Sequence, residues 1–409
     1  MGDKPFSRIR VLDMSRILAG PWTGQMLADL GAEVIKVERP GLGDEGRTFG
    51  PVFLKDRAGN DTRESCMYLS ANRNKRSITV DLSKAEGQGL VRALAEKSDV
   101  LIENYRVGTL ARYGLDYTAM SAVNPKLIYC SITGFGQTGP YRDRPGYDAI
   151  FQAMGGLMSV TGDADDKPGG GPMKVGPSIV DVVTALFSSV AIVSALYHRD
   201  ANGGRGQHLD MALLDSSIAV LTHAAMHYLV SGEPPRRRGT EGNGGMPTRM
   251  FSCSDGRIMI SVGNNDQFSR LCDALGLPPL HEDPRFNSNA MRVQNRAALV
   301  PILEEAFARC KQADIVAALD VAAVPAGAVN DLPQVFADPQ VVARGMRIEV
   351  PHPLSGLLSL VANPIRFSDT KLDRYDAPPL HGQHTEEVLS GLLGMAGEDI
   401  ARLRSAGVI

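Results

Sequence analysis

The chain has 409 residues, more than one hydrophobic core usually serves, so two domains are expected. At 43% hydrophobic, 22% charged and a net charge of −3, it is ordinary and globular, with no excess of positive charge to draw nucleic acid or an anionic membrane surface. Cys66, Cys130, Cys253, Cys272 and Cys310 are scattered, odd in number and without a CxxC pair, as reduced thiols in a cytoplasmic protein are.

The opening MGDKPFSRIRVLDM has no long apolar signal-peptide core. Within it IRVLDM reads as a strand. SRILAGPWTGQMLADLGAE follows as a helix, with Pro21 near its start and Gly31 near its end, and VIKVE as a second strand ending at Arg39. The pattern repeats: RSITVDL, a helix over SKAEGQGLVRALAEKS, the strand DVLIENY, a short helical stretch through Leu110, and the strand KLIYCSITGFG. Strands alternating with helices predict an open, Rossmann-like α/β sheet, with ligands beyond the carboxyl ends of the strands. Gly134-Phe-Gly136-Gln-Thr-Gly139 fits the dinucleotide pattern, but Pro140 and a loop follow where a helix must open, so the stretch is read as a glycine-rich turn.

GYDAIFQAM, a loop DADDKPGGGPMKVGPS and the long, nearly uncharged IVDVVTALFSSVAIVSAL come next. The last is long enough to raise a membrane span, but its Thr and Ser residues, Asp181 and the lack of a second span favour a core helix buried on most faces. Asp181 lies in its first turn. Ser178-x-x-Asp181 has the form of a capping box, which is the reading this stretch alone favours. The alternative is a carboxylate nucleophile, kept ionised by the positive end of the helix, whose N–H groups would also hold an oxyanion.

HLDMALLDSSIAVLTHAAMHYLVSG is expected to be one long helix, with His223 and His227 on one face but no third metal ligand. EPPRRRGTEGNGGMP is the strongest break in composition. Its glycines, Gly239 to Gly245, fit either a lid over the site or an interdomain linker. Beyond it, a hairpin around Asp255-Gly256 and helices near Asn265–Leu275, Arg292–Cys310 and Gln312–Val321 suggest a smaller α+β domain. IEVPHP and LLSLVANPIRFS read as strands, then EEVLSGLLG and EDIARLRSAG as helices.

Several stretches together resemble the family III CoA-transferases: RVLDMSRILAGPWTGQMLADLGAEVIKVERP, YLSANRNKRSITVDL, DVLIENYRVGTLARYGLDY, LIYCSITGFGQTGPY, GYDA, GLMSVTG, FADPQV and PLHGQHTEEVL. The resemblance implies a discontinuous large domain (residues 1–205 and 335–409), a linker helix and glycine-rich loop (206–247), an inserted small domain (248–334) and an interlocked homodimer. It implies Asp181 as nucleophile, with Val180 where the family more often has Gly, and Asp148 as a second active-site acid. Racemases of the family carry His before that acid. Tyr147 stands there instead, so CoA transfer is favoured over α-methylacyl-CoA racemisation, with a non-catalytic CoA-binding protein as the other alternative.

By the same resemblance Arg39, Lys75 and Arg112 would meet the phosphates of CoA, Ile17, Leu18 and Ala19 the thioester end, and Asn104 and Tyr105 the pantetheine or adenine. Tyr147, Gly244 and Gly245 would contact the acyl group. The stretches YLSANRNKRSI and SVGNNDQF look most like the branch that transfers CoA between succinyl-CoA and hydroxymethylglutarate or glutarate. The second carboxylate of such an acid needs a cation. Arg16 is preferred for this over Arg249. No metal or tightly bound cofactor is implied, because CoA thioester is itself a substrate. With an ordinary pKa of about 3.9, Asp181 would be fully ionised at neutral pH.

Overall fold

The computed structural model describes residues 4–242 and 244–409. They divide into two compact units: Met1–Leu157, Val175–Leu229 and Val342–Ile409 form the first, Met158–Lys174 and Val230–Val341 the second. The expected boundaries therefore move. The segment expected to be a linker helix joins the first unit up to Leu229, and the stretch from Met158 to Lys174, expected in the large domain, joins the second.

A six-stranded parallel sheet forms the first unit's centre, in the spatial order Lys75–Thr79, Glu33–Glu38, Arg10–Asp13, Val100–Glu103, Ile128–Thr133, His208–Ala212. Counted along the chain this is 3-2-1-4-5-6, the doubly wound order. The order reverses between Arg10–Asp13 and Val100–Glu103, so a crevice opens past Asp13 and Glu103. Val11, Leu12, Val100, Leu101 and Ile102 are fully enclosed, as strands covered on both faces must be.

The expected long helix from residue 208 is not one element. His208–Ala212 is the sixth strand, pairing Tyr129 with His208 and Ser131 with Asp210. Helices Leu213–Ala219 and His223–Ser231 follow, broken at Thr222, whose φ is 43°. The alternation of His208, Leu209, Asp210 and Met211 is a strand pattern that the long apolar run behind it obscured. The helical stretch expected through Leu110 is also displaced: a 3₁₀ turn occupies Ala111–Tyr113 and a helix Tyr117–Val123.

The edge strand Lys75–Thr79 is not left open. The Ser77 N–H donates to His384 Nδ1, the Thr79 N–H to Thr385 Oγ1, and the His384 N–H to the Ser77 carbonyl. The segment leading into the helix Thr385–Leu393 thus satisfies edge groups that invite mispairing.

Ile179–Ala201 is long and apolar enough to cross a membrane. Here it buries one face, with Val180, Thr184, Ala185, Ser188, Ile192, Ala195 and Leu196 inward. Burial on most faces was expected, but Leu186, Phe187, Val190, Val193 and Tyr197 stand exposed in the single chain.

In the second unit Thr248–Ser252 and Arg257–Ser261 form the expected hairpin, and Ala326–Ala328 extends it to three antiparallel strands. Helices Asn265–Ala274, Arg296–Ala308 and Gln312–Val321 contribute to its core of Phe251, Phe268, Leu299, Leu303 and Phe307. Arg292 is fully buried, donating to the carbonyls of Met246 and Phe286 and to Asn265.

Candidate active site

Two acids meet at the start of the Ile179–Ala201 helix. Asp148 opens its own helix, Asp148–Met154. Its place is fixed by Phe151, fully buried, which lies so close to Gly134 and Gly146 that a Cβ on either would come within 2.6 Å of its ring. Asp148 Oδ1 accepts from the N–H groups of Val180 at 2.8 Å and Asp181 at 3.2 Å. Oδ2 accepts from Gln152 Nε2 at 2.6 Å, and Gln152 Oε1 accepts from the Val175 N–H at 2.8 Å. The helix is therefore capped by Asp148, across 32 residues of chain, and not by Ser178, whose side chain makes no capping bond.

This corrects two expectations. Asp181 is not the cap, and the N–H groups of Val180 and Asp181 are not open to an oxyanion because Asp148 holds both. Among the described residues nothing donates a hydrogen bond to the Asp181 carboxylate. Burial, and then the nearby Asp148, push its pKa up to about 7. Far from being fully ionised at neutral pH, it sits near half ionisation: a bare and basic carboxylate with the properties of an oxygen nucleophile. Tyr147, just before Asp148, is largely exposed.

The second feature is a cavity of 460 Å³ in the crevice at the switch point, lined by Arg16, Arg39, Arg63, Tyr105, Thr109 and Tyr113 among others. Its size suits a large ligand and its arginines suit phosphate. Arg39 follows the strand Glu33–Glu38, and Tyr105 follows Val100–Glu103, both at carboxyl ends. Arg112 is exposed on the turn between Thr109 and Tyr113. Leu18 and Ala19 are buried where the helix Ala19–Asp29 begins, and Ile17 precedes them. The stretch Asp81–Ser83 also lines the cavity and was missed, because it reads as a plain turn after a strand.

Several expected ligand contacts are otherwise engaged. Lys75 is 3% exposed and donates to Asp13 Oδ2 at 2.8 Å, the Pro21 carbonyl and Asn72. It is a structural cation under the sheet and presents nothing to a phosphate. Asn104 spends its amide on the backbone of Arg16, accepting from the N–H at 2.9 Å and donating to the carbonyl at 2.8 Å. The Arg16 guanidinium pairs with Glu45 at 2.6 Å and lies 4.6 Å from the Tyr105 ring centroid. It lines the same cavity as Arg39, and that lining includes neither Asp148 nor Asp181.

Gly244 and Gly245 belong to the second unit. The Gly244 carbonyl accepts from Asn289, and a Cβ on Gly245 would lie 2.4 Å from the Val262 carbonyl oxygen. Asn243, within the expected lid, lies outside the described residues. Arg249 pairs with Glu241 at 3.3 Å and Glu304 at 3.1 Å in that unit. Among the described residues no cluster of His, Cys, Asp and Glu is placed to hold a metal ion.

An open parallel sheet, an arginine-lined crevice at its switch point and a bare aspartate at a helix start fit the class of α/β enzymes that act on phosphorylated ligands. Comparison with known proteins specifies it further. A profile of CoA-transferase family III matches residues 6–385, and the chain belongs to that family. It is 46% identical over 389 residues to the succinate–glutarate CoA-transferase of Agrobacterium fabrum, covering 95% of this chain and 96% of that protein. It is 40% identical over 406 residues to the succinyl-CoA:glutarate CoA-transferase of Homo sapiens, covering 99% and 90%. The crystal structure of a CAIB/BAIF family protein from Brucella suis superimposes with a TM-score of 0.86 at 46% identity, covering 96% of this chain and 100% of that one. Rv3272 from Mycobacterium tuberculosis gives 0.80 at 30%, covering 94% and 99%.

Proposed function

We propose that this CoA-transferase moves CoA from succinyl-CoA to glutarate or a similar short dicarboxylate, with Asp181 as the nucleophile. The observation that carries the mechanism is the Asp181 carboxylate itself: half-buried, without a hydrogen-bond donor and raised to about 7. The names of relatives 40–46% identical over nearly the whole chain support the substrate pair.

In the proposed course the Asp181 carboxylate attacks the thioester carbonyl. The C–S bond breaks, CoA leaves as the thiolate, and a succinyl–aspartyl anhydride remains. The thiolate attacks the aspartyl carbonyl, releasing succinate and leaving an aspartyl-CoA thioester. Glutarate repeats the two steps in reverse, forming glutaryl-CoA and freeing Asp181. Every charge is accounted for without a proton donor, metal or nucleotide. Asp148 positions the helix start and keeps Asp181 basic, while Arg16 and Arg39 hold the nucleotide end.

Incubation with succinyl-CoA and either glutarate or butyrate, read by mass, tests this. Glutaryl-CoA with an equal yield of succinate is expected, with butyrate a poor acceptor. Equal use of both acids would overturn the substrate class.

We further propose that two chains associate, because the exposed row Leu186, Phe187, Val190, Val193 and Tyr197 is an apolar stripe of the kind interfaces cover. Sedimentation should return twice 43.8 kDa, and a monomer at micromolar concentration would refute it. The five unpaired cysteines support a cytoplasmic location, to be checked by cell fractionation.

A further inference from the structure

Ile17 has φ of 71°, a left-handed backbone that a β-branched residue adopts only under constraint. The constraint is visible. Lys36 Nζ donates to the Ser15 carbonyl at 2.9 Å. Asn104 closes a two-way bond with the N–H and carbonyl of Arg16 at 2.9 and 2.8 Å. Asp44 Oδ1 accepts from the Ile17 N–H at 2.9 Å, and Asp44 Oδ2 pairs with Lys36 at 2.7 Å. Lys36 is fully buried and Asp44 2% exposed, so neither yields to water. Four backbone groups in a row are thus held by three side chains, from a strand interior, a strand end and a loop.

The bend they enforce leads from Arg16, on the arginine-lined cavity, into the helix Ala19–Asp29, whose first N–H groups have no partner within the helix. Glu103, at the end of the neighbouring strand, accepts from the Tyr105 N–H at 2.8 Å and so steadies the ring beneath the Arg16 guanidinium.

We infer that Asn104 and Asp44 are positioning residues for acyl-CoA: they hold the strained Ile17 bend, which sets Arg16 over the cavity in advance of binding. This rests on the reading of that cavity as the CoA site. Asn104 acts through Arg16 and touches no ligand. Rigid placement lowers the ordering cost of binding, so its loss should appear in CoA affinity more than in the chemical step.

The decisive comparison is between Asn104→Ala and the double variant Ile17→Gly with Asn104→Ala, each titrated with CoA by calorimetry after a folded circular-dichroism spectrum is recorded. Asn104→Ala removes two hydrogen bonds and should weaken CoA by ~10-fold or more. In the double variant, glycine takes the left-handed bend without strain, so much of the affinity should return. A residue that touches CoA directly would show no such rescue, and absence of rescue overturns the proposal. Arg39→Ala tests the underlying reading separately: if it binds CoA normally, the cavity is not the CoA site. If it loses CoA while Asn104→Ala does not, the cavity stands and the positioning role falls. Should Asn104→Ala fail to fold, Asn104→Asp decides: its carboxylate still accepts from the Arg16 N–H but cannot donate to the Arg16 carbonyl, so CoA should bind several-fold more weakly, and unchanged CoA affinity refutes the positioning role.

Discussion

Asp181→Asn should lose CoA transfer by several orders of magnitude and, at the same time, unfold at a higher temperature than the parent. The first effect follows from the chemistry, since an amide has no carboxylate oxygen to attack a thioester. The second follows from linkage. Burial and Asp148 raise Asp181 from its ordinary 3.8 to about 7, so between those values the folded chain binds a proton that the unfolded chain has released. Folding stability therefore falls as pH rises from about 4 to 7, and the full cost, ~4 kcal/mol, applies above pH 7. The neutral amide escapes this cost, so the stabilisation should be largest above pH 7 and fade toward pH 4. In the parent, kcat/KM for acyl-CoA should climb as pH rises through about 7, where the carboxylate ionises. A variant that retains transfer, or one that melts below the parent at pH 8, would remove Asp181 from the role assigned to it.

Arg47→Met should cost on the order of 5 kcal/mol or more, the scale at which a domain of ordinary stability begins to fail. Arg47 is 1% exposed and carries two buried carboxylates: Nε bonds Glu38 and Nη1 bonds Glu64, each at 2.7 Å. Its Nη2 also reaches the Tyr68 hydroxyl at 2.6 Å and the Pro379 carbonyl at 3.0 Å. Methionine keeps much of the volume but leaves both acids buried without their cation, Glu38 retaining only the Asp44 N–H and the Ser77 hydroxyl as donors. Arg47 and Lys36 hold Glu38 down near 2 despite its burial, whereas burial leaves Glu64 above its ordinary value. In the parent the Glu38 contribution is fully present above pH 4.5 and lost as pH falls toward 2. In the variant the unpaired acids should protonate more readily, so the difference from the parent should narrow in acid. Urea unfolding at pH 7.5 and pH 5 measures both, and a loss below about 1 kcal/mol at pH 7.5, the scale of an exposed ion pair, would refute the network's importance.

Local patterns carried much of the fold. VIKVE and LIYCSIT could hardly be anything but enclosed strands, and Asp255-Gly256 between two alternating runs named its hairpin. His208–Ala212 failed because a strand of five residues runs straight into an apolar helix, and periodicity averages across the join. The acids of the site were readable as residues but not as partners. The chain says that Asp148 begins one helix and Asp181 another. It does not say that the first caps the second, since that bond spans 32 residues and displaces the nearer candidate, Ser178. Lys75 was misplaced for a related reason. A lysine in NRNKR looks solvated, and only the fold shows Asp13 waiting beneath it.

The covering of the edge strand Lys75–Thr79 by His384 and Thr385 has a consequence for how the protein is made. On the ribosome the strand emerges roughly 300 residues before its cover, a delay of about 15–60 s at ordinary elongation rates. Throughout that interval the N–H groups of Ser77 and Thr79 have no native acceptor, and the Pro379 carbonyl bound by Arg47 does not yet exist. The nascent sheet therefore exposes a sticky margin for most of its synthesis. Its yield in a cell should depend on chaperone supply and translation speed more than the stability of the finished enzyme would suggest.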